Sequence, residues 1–124
     1  MVQSRILVVD DSATELAVIS APLRHDGYTV VTANNGQEAV QQVEKDDDIA
    51  LVLMDIMMPE MDGYETMKAI RARPDKRSLP MIALTAKAMK GDREKCIEAG
   101  ASDYIAKPVN TDQLLSLLRQ WLHR

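Results

Sequence analysis

Five short apolar runs punctuate this chain, within the stretches RILVVDDS, YTVVTAN, IALVLMD, PMIALTA and SDYIAKP. Each is nearly continuous in Val, Ile, Leu and Ala, where a strand with one face in water would alternate apolar and polar residues. Such runs read as strands covered on both faces, and strands of that kind belong to parallel sheets. Longer amphipathic segments separate them. Strands alternating with helices require right-handed crossovers, which lay helices against both faces of the sheet. The expected fold is α/β, a doubly wound five-stranded parallel sheet.

The helical segments carry recognisable starts and faces. Ser12 with Glu15 and Asn110 with Gln113 are spaced as capping boxes. Leu114, Leu117, Leu118, Trp121 and Leu122 share one face of the last helix, leaving Arg119 and Gln120 to water. Ala39, Val40 and Val43 mark a helix after the second strand, and Met67 with Ile70 mark one after Gly63, where Asp62 reads as the helix start. GDREKCIEAG has only a weak stripe at Cys96 and Ile97, with Gly100 as its stop. Pro22 falls inside the first helix, which is expected to kink or end early there.

With 124 residues, one domain over 1–124 is expected, large enough to bury a core without disulfides or structural metal. There is no Phe and one Trp, so no aromatic platform for stacking bases is evident, and a net charge of −4 would be repelled by duplex phosphates. Direct nucleic-acid binding is not expected. Cys96 is the one cysteine and reads as an apolar filler; no secretory leader or run long enough to span a bilayer is seen, so a soluble, cytoplasmic domain with no membrane association is expected. KDDD at 45–48 lacks the glycine and distal glutamate of a calcium loop and reads as a solvated turn.

In doubly wound folds, ligands bind beyond the carboxyl ends of the strands, where the strand order reverses. Asp10 and Asp11 follow the first strand, Asp55 ends the third, Thr85 ends the fourth, and Lys107 with Pro108 ends the fifth. If these strands are neighbours, three carboxylates, a hydroxyl and an ammonium converge. Three close carboxylates repel one another and take up protons unless a cation relieves them. An all-oxygen set with no Cys or His favours a hard ion, and Mg2+ suits a few carboxylates with retained waters better than a closed calcium cage. The chemistry that follows is phosphoryl transfer to a carboxylate nucleophile.

These residues resemble the receiver domain of two-component response regulators over essentially the whole chain. VVDDS, LMDIMMPEMDG, LTA and DYIAKP are similar to its acidic pair, phosphoacceptor loop, switch hydroxyl and Lys-Pro motif, in order and at family spacing. The stretch TAKAMKGDREKCIEAGASDYIAKPV further looks like receivers attached to hybrid histidine kinases. The resemblance implies a flavodoxin-like strand order 2-1-3-4-5, with Asp55 as phosphoacceptor. It implies Mg2+ held by Asp10, Asp11, Asp55 and the backbone carbonyl of Met57, with Lys107 pairing with the phosphoryl group. Thr85 would swing toward that group and Tyr104 would turn inward behind it, altering the face made by the fourth helix, fifth strand and fifth helix. The peptide before Pro108 is expected to be cis. The implied partners are a histidine kinase or histidine phosphotransfer domain upstream and a protein docking on the altered face downstream. The domain itself is expected to be a phosphoacceptor that assists its own phosphorylation and dephosphorylation rather than an enzyme.

Met57 and Lys87 stand where side chains tune acyl-phosphate lifetime in the resembling family. His25 and His123 read as surface residues, so the donor histidine belongs to a partner. Lys87, Lys90, Arg93 and Lys95 read as a solvated helix face near the output surface. Three rival functions fit these residues less well. An aspartyl-phosphate phosphatase needs Asp-x-Asp after its first strand, where Ser12 takes the second acidic slot. A flavin binder needs a hydroxyl- and glycine-rich phosphate loop, where two acids stand here. A degenerate docking receiver would lack an acid, the hydroxyl or the lysine, and none is missing.

Overall fold

The computed structural model describes residues 5–86 and 90–122. The elements alternate along the chain: β1 (Arg5–Val9), α1 (Ala13–His25), β2 (Thr29–Ala33), α2 (Gly36–Lys45), β3 (Ile49–Asp55), α3 (Gly63–Arg71), a 3-10 turn at Pro74–Lys76, β4 (Met81–Thr85), α4 (Lys90–Ala99), β5 (Asp103–Ala106) and α5 (Thr111–Leu122). The strands form one parallel sheet in the order β2-β1-β3-β4-β5. The doubly wound topology expected from the apolar runs is the one observed.

Successive side chains of a strand point to opposite faces, and the core divides accordingly. Leu7, Val9, Val52, Met54, Met81 and Ala83 join Val43, Met67, Ile70 and Cys96 beneath α2, α3 and α4. Ile6, Val8, Leu51, Leu53, Ile82 and Leu84 join Leu16, Ile19, Leu23, Leu114 and Leu118 beneath α1 and α5. Both faces are covered over β1, β3 and β4, whose apolar residues other than Ala50 are buried. The outer strand β2 departs from that expectation: Thr29, Val30 and Val31 are only half-buried and Thr32 is exposed. With one neighbouring strand, an edge leaves part of each face open to solvent.

Most expected starts and stops are present. Ser12, Asp62 and Asn110 accept from the N–H groups of Glu15, Glu65 and Gln113, and Gly100 ends α4 with φ +115, a backbone state glycine adopts at no steric cost. Asn35 caps α2 by accepting from Glu38 N–H, while Glu38 accepts from Asn34 N–H. The sequence marks that helix only by its apolar face, Ala39, Val40 and Val43.

Pro22 does not end α1, which runs to His25. The proline sits one turn from the end, followed by Leu23, which is fully buried against the sheet. The carbonyl that loses its helical partner belongs to Val18, on the solvent side of the helix. Burial of Leu23 holds the last turn despite the missing donor. The chain then leaves the helix through Tyr28 N–H to Leu23 O and Gly27 at φ +97.

Candidate functional site

The site is assembled by register. Val9 pairs with Met54, so the residues one step further, Asp10 and Asp55, come side by side at the carboxyl ends of the two central strands. Here the chain winds from β1 outward to β2 and then back across to β3, so the strand order reverses between β1 and β3. Asp55 pairs with Leu84, and Thr85 with Ala106, which brings Lys107 to the same rim. Lys107 N–H donates to the Thr85 carbonyl at 2.7 Å. The Lys107–Pro108 peptide is cis, as expected.

Gly63 sets the distance between the loop after β3 and α3. A Cβ at that position would collide with the Asp55 carbonyl and lie 2.7 Å from Ile56 Cα. The helix start can therefore pack directly against the end of the strand that carries Asp55. Gly63 N–H donates to the Ile56 carbonyl at 3.1 Å, closing the loop on itself.

Carboxylate oxygens of Asp10, Asp11 and Asp55 lie within 4.8 Å of one another. Asp10 and Asp55 are almost fully buried, while Asp11 is exposed. Lys107 Nζ donates to Asp55 Oδ1 at 3.0 Å and to Asp10 Oδ2 at 3.3 Å, and lies 3.6 Å from Glu15 Oε2. Met57 N–H donates to Asp55 Oδ1 at 3.3 Å, with its thioether side chain 73% exposed at the rim. Thr85 is buried. Tyr104 is half-buried against the α2–α4 side of the core, with the Arg93 guanidinium 5.4 Å above its ring.

Burial pushes the Asp55 carboxyl above the usual carboxylate range; the Lys107 hydrogen bond opposes this, and the charge of Asp10 adds to it. For Lys107, burial disfavours the ammonium, but the hydrogen bonds and charges of Asp55 and Asp10 outweigh it and the amine stays above its usual range. Among the described residues, the Lys107 ammonium thus offsets these acids only in part. The donor set, three carboxylates with no sulfur or imidazole among the described residues, fits a hard divalent cation that would supply the missing positive charge.

The structure brings together Asp10, Asp11, Asp55, Thr85 and Lys107 from four strand ends, with Met57 on the adjoining loop. Lys87 and His123 lie outside the described residues, as does the side chain of Lys90. His25 is exposed on the surface and Cys96 is buried, as read from the sequence. Sequence reading missed Glu15 as a neighbour of Lys107, having assigned it to the capping box; helical side chains lean toward the N-terminus, which here points at the site. It also missed Arg71, which donates to the carbonyls of Gly100 and Lys76 and so ties α3 to the end of α4.

Fold and site define a doubly wound α/β domain with an acidic pocket and one lysine at its topological switch point. The chain belongs to the response regulator receiver domain family, which it matches over residues 6–119. It is similar to the signal transduction histidine-protein kinase BarA of Shigella flexneri, at 40% identity over 94% of this chain and 12% of that protein. It is 40% identical to the response regulator MprA of Mycobacterium leprae over 97% of this chain and 51% of that protein. The chain thus spans about an eighth of one relative and half of the other. Among solved structures, the receiver domain of a sensor histidine kinase from Pseudomonas aeruginosa superposes with a TM-score of 0.90 at 40% identity, covering 98% of this chain and 99% of that one. That structure is described with a magnesium ion coordinated in its active-site cleft. Receiver domains bind Mg2+ at an acidic pocket. No described helix is long and apolar enough to cross a membrane.

Proposed function

We propose that the domain accepts a phosphoryl group on Asp55 from a phosphohistidine of a partner kinase or phosphotransfer domain in the cytoplasm. The observation that carries this reading is the position of Lys107 Nζ, 3.0 Å from the Asp55 carboxylate and beside Asp10, in a pocket rich in acids. Asp10, Asp11 and Asp55, with the Met57 backbone carbonyl, would hold Mg2+, which when bound supplies charge neutralisation for the phosphoryl oxygens.

An Asp55 oxygen bonds to phosphorus as the donor's phosphorus–nitrogen bond breaks, and the bonding pair returns to the imidazole nitrogen. Phosphoryl transfer asks a protein mainly for alignment and charge stabilisation. Lys107 meets one phosphoryl oxygen with its ammonium, and the Thr85 hydroxyl meets another. The Thr85 movement draws Tyr104 inward and alters the α4–β5–α5 face, a shift between two packings that the phosphoryl group biases. The Arg93 guanidinium lies 5.4 Å over the Tyr104 ring, a contact that such a movement would break.

The test is labelling of the full chain by a phosphorylated histidine partner with and without Mg2+. The parent is labelled only with the ion, and Asp55→Asn is not labelled. Incorporation that persists in Asp55→Asn places the phosphoacceptor elsewhere.

A further inference from the structure

The first turn of α1 departs from the reciprocal cap that Ser12 and Glu15 are spaced to make. Ser12 Oγ accepts from Glu15 N–H at 3.3 Å, which is half of a capping box. The other half would return the Glu15 carboxylate to the Ser12 N–H. That N–H donates instead to Asp10 Oδ1 at 2.9 Å. Glu15 is released from the cap, and its carboxylate lies 3.6 Å from Lys107 Nζ.

Lys107 therefore faces three acids of different standing. The Asp55 and Asp10 side chains are 3% and 2% exposed, whereas that of Glu15 is 46% exposed and forms the solvent side of the pocket. A phosphodonor must pass this rim to reach Asp55, and one of its oxygens must take a hydrogen bond from the amine that Glu15 also holds.

We propose that Glu15 is a specificity-determining residue that disfavours small, free phosphodonors in proportion to their negative charge. This deepens the reading of Asp55 as phosphoacceptor and rests on it. Two effects act in one direction: Glu15 competes for Lys107, and its negative charge repels the donor. Repulsion between unit charges about 6 Å apart at a water-facing rim lowers the rate by roughly threefold per unit of donor charge at low salt.

The experiment compares two donors on the full chain at saturating Mg2+, with the ion's affinity measured for each variant. Acetyl phosphate is a dianion at neutral pH and loses acetate as its phosphorus–oxygen bond breaks. Phosphoramidate is a monoanion and loses ammonia as its phosphorus–nitrogen bond breaks. Glu15→Gln keeps the backbone N–H that Ser12 caps and removes only the charge. It is expected to speed acetyl phosphate by roughly ninefold and phosphoramidate by roughly threefold at low salt, with both gains shrinking at high salt. Glu44→Gln, an exposed acid paired with Arg73 on the α2–α3 side, is the control for net charge and leaves both rates unchanged. Equal scaling of the two donors, an unchanged rate, or the same gain in Glu44→Gln overturns the inference. Glu15→Ala must reproduce the donor ratio even if its stability falls. Labelling that survives Asp55→Asn defeats the underlying reading, whereas Asp55-dependent labelling indifferent to Glu15 defeats only this inference.

Discussion

Lys107 Nζ donates to Asp55 Oδ1 across 3.0 Å, joining residues 52 positions apart on the ends of β5 and β3. A whole strand, β4, lies between them in the sheet. The lysine spans that strand because its four-carbon stem reaches over the rim while its head enters the acidic pocket.

Replacing Lys107 with Ala leaves Asp55 and Asp10 buried without their cation. Breaking a buried pair by removing one partner costs several kcal/mol, and the partial exposure of Lys107 puts this case toward the lower side, about 2 to 3 kcal/mol. Urea unfolding of the ion-free protein measures the loss. Added Mg2+ is expected to recover more stability in Lys107→Ala than in the parent, since the ion then neutralises acids that Lys107 no longer does. Equal recovery in both would show that lysine and ion do not share the same charges.

Asp55→Asn is expected to raise the melting temperature of the ion-free protein at neutral pH. The folded-state pKa of Asp55 is raised by burial, so the folded chain binds its proton more tightly than the unfolded chain does. The cost of the carboxylate is absent at acid pH, grows as pH rises through the interval between the unfolded and folded values, and is complete above the folded value. The stability gap between variant and parent should follow that curve, because the neutral amide retains an acceptor for Lys107 and carries no charge. Calorimetry across that range decides it; a gap that widens toward acid would reverse the sign.

Mg2+ is expected to stabilise the parent by mass action, reaching about 2.7 kcal/mol at a hundredfold excess over its dissociation constant. Asp11 is exposed, so Asp11→Ala should fold normally while losing most of the thermal shift. An intact shift would remove Asp11 from the ion's ligands.

Pro22→Ala restores a hydrogen-bond donor within α1 and relieves the ring's clash with the preceding turn. A proline in a helix interior costs about 3 kcal/mol relative to alanine, and its position near the helix end reduces this, so a gain of about 1 to 2 kcal/mol is expected by denaturant unfolding. Labelling of Asp55 should be unaffected, since Pro22 lies at the end of α1 away from the pocket.

The apolar runs, their continuity and their alternation with amphipathic stretches were enough to specify a parallel, doubly wound sheet. Side-chain period and two-faced burial are local properties that the residues carry with them. The acids, hydroxyl and lysine could be placed at strand ends for the same reason, and the motif resemblance named their family. Other features depended on neighbours distant in the chain. Leu23 docking on the sheet decided that α1 would run past Pro22. The single-sided pairing of β2 decided that Val30 and Val31 would be only half covered. The competition of Asp10 for the Ser12 N–H decided that Glu15 would leave its cap and turn to Lys107. A one-dimensional pattern specifies what each group can bond; only the folded arrangement sets which of several eligible partners lies nearest, because those choices are made between residues that meet through tertiary packing alone.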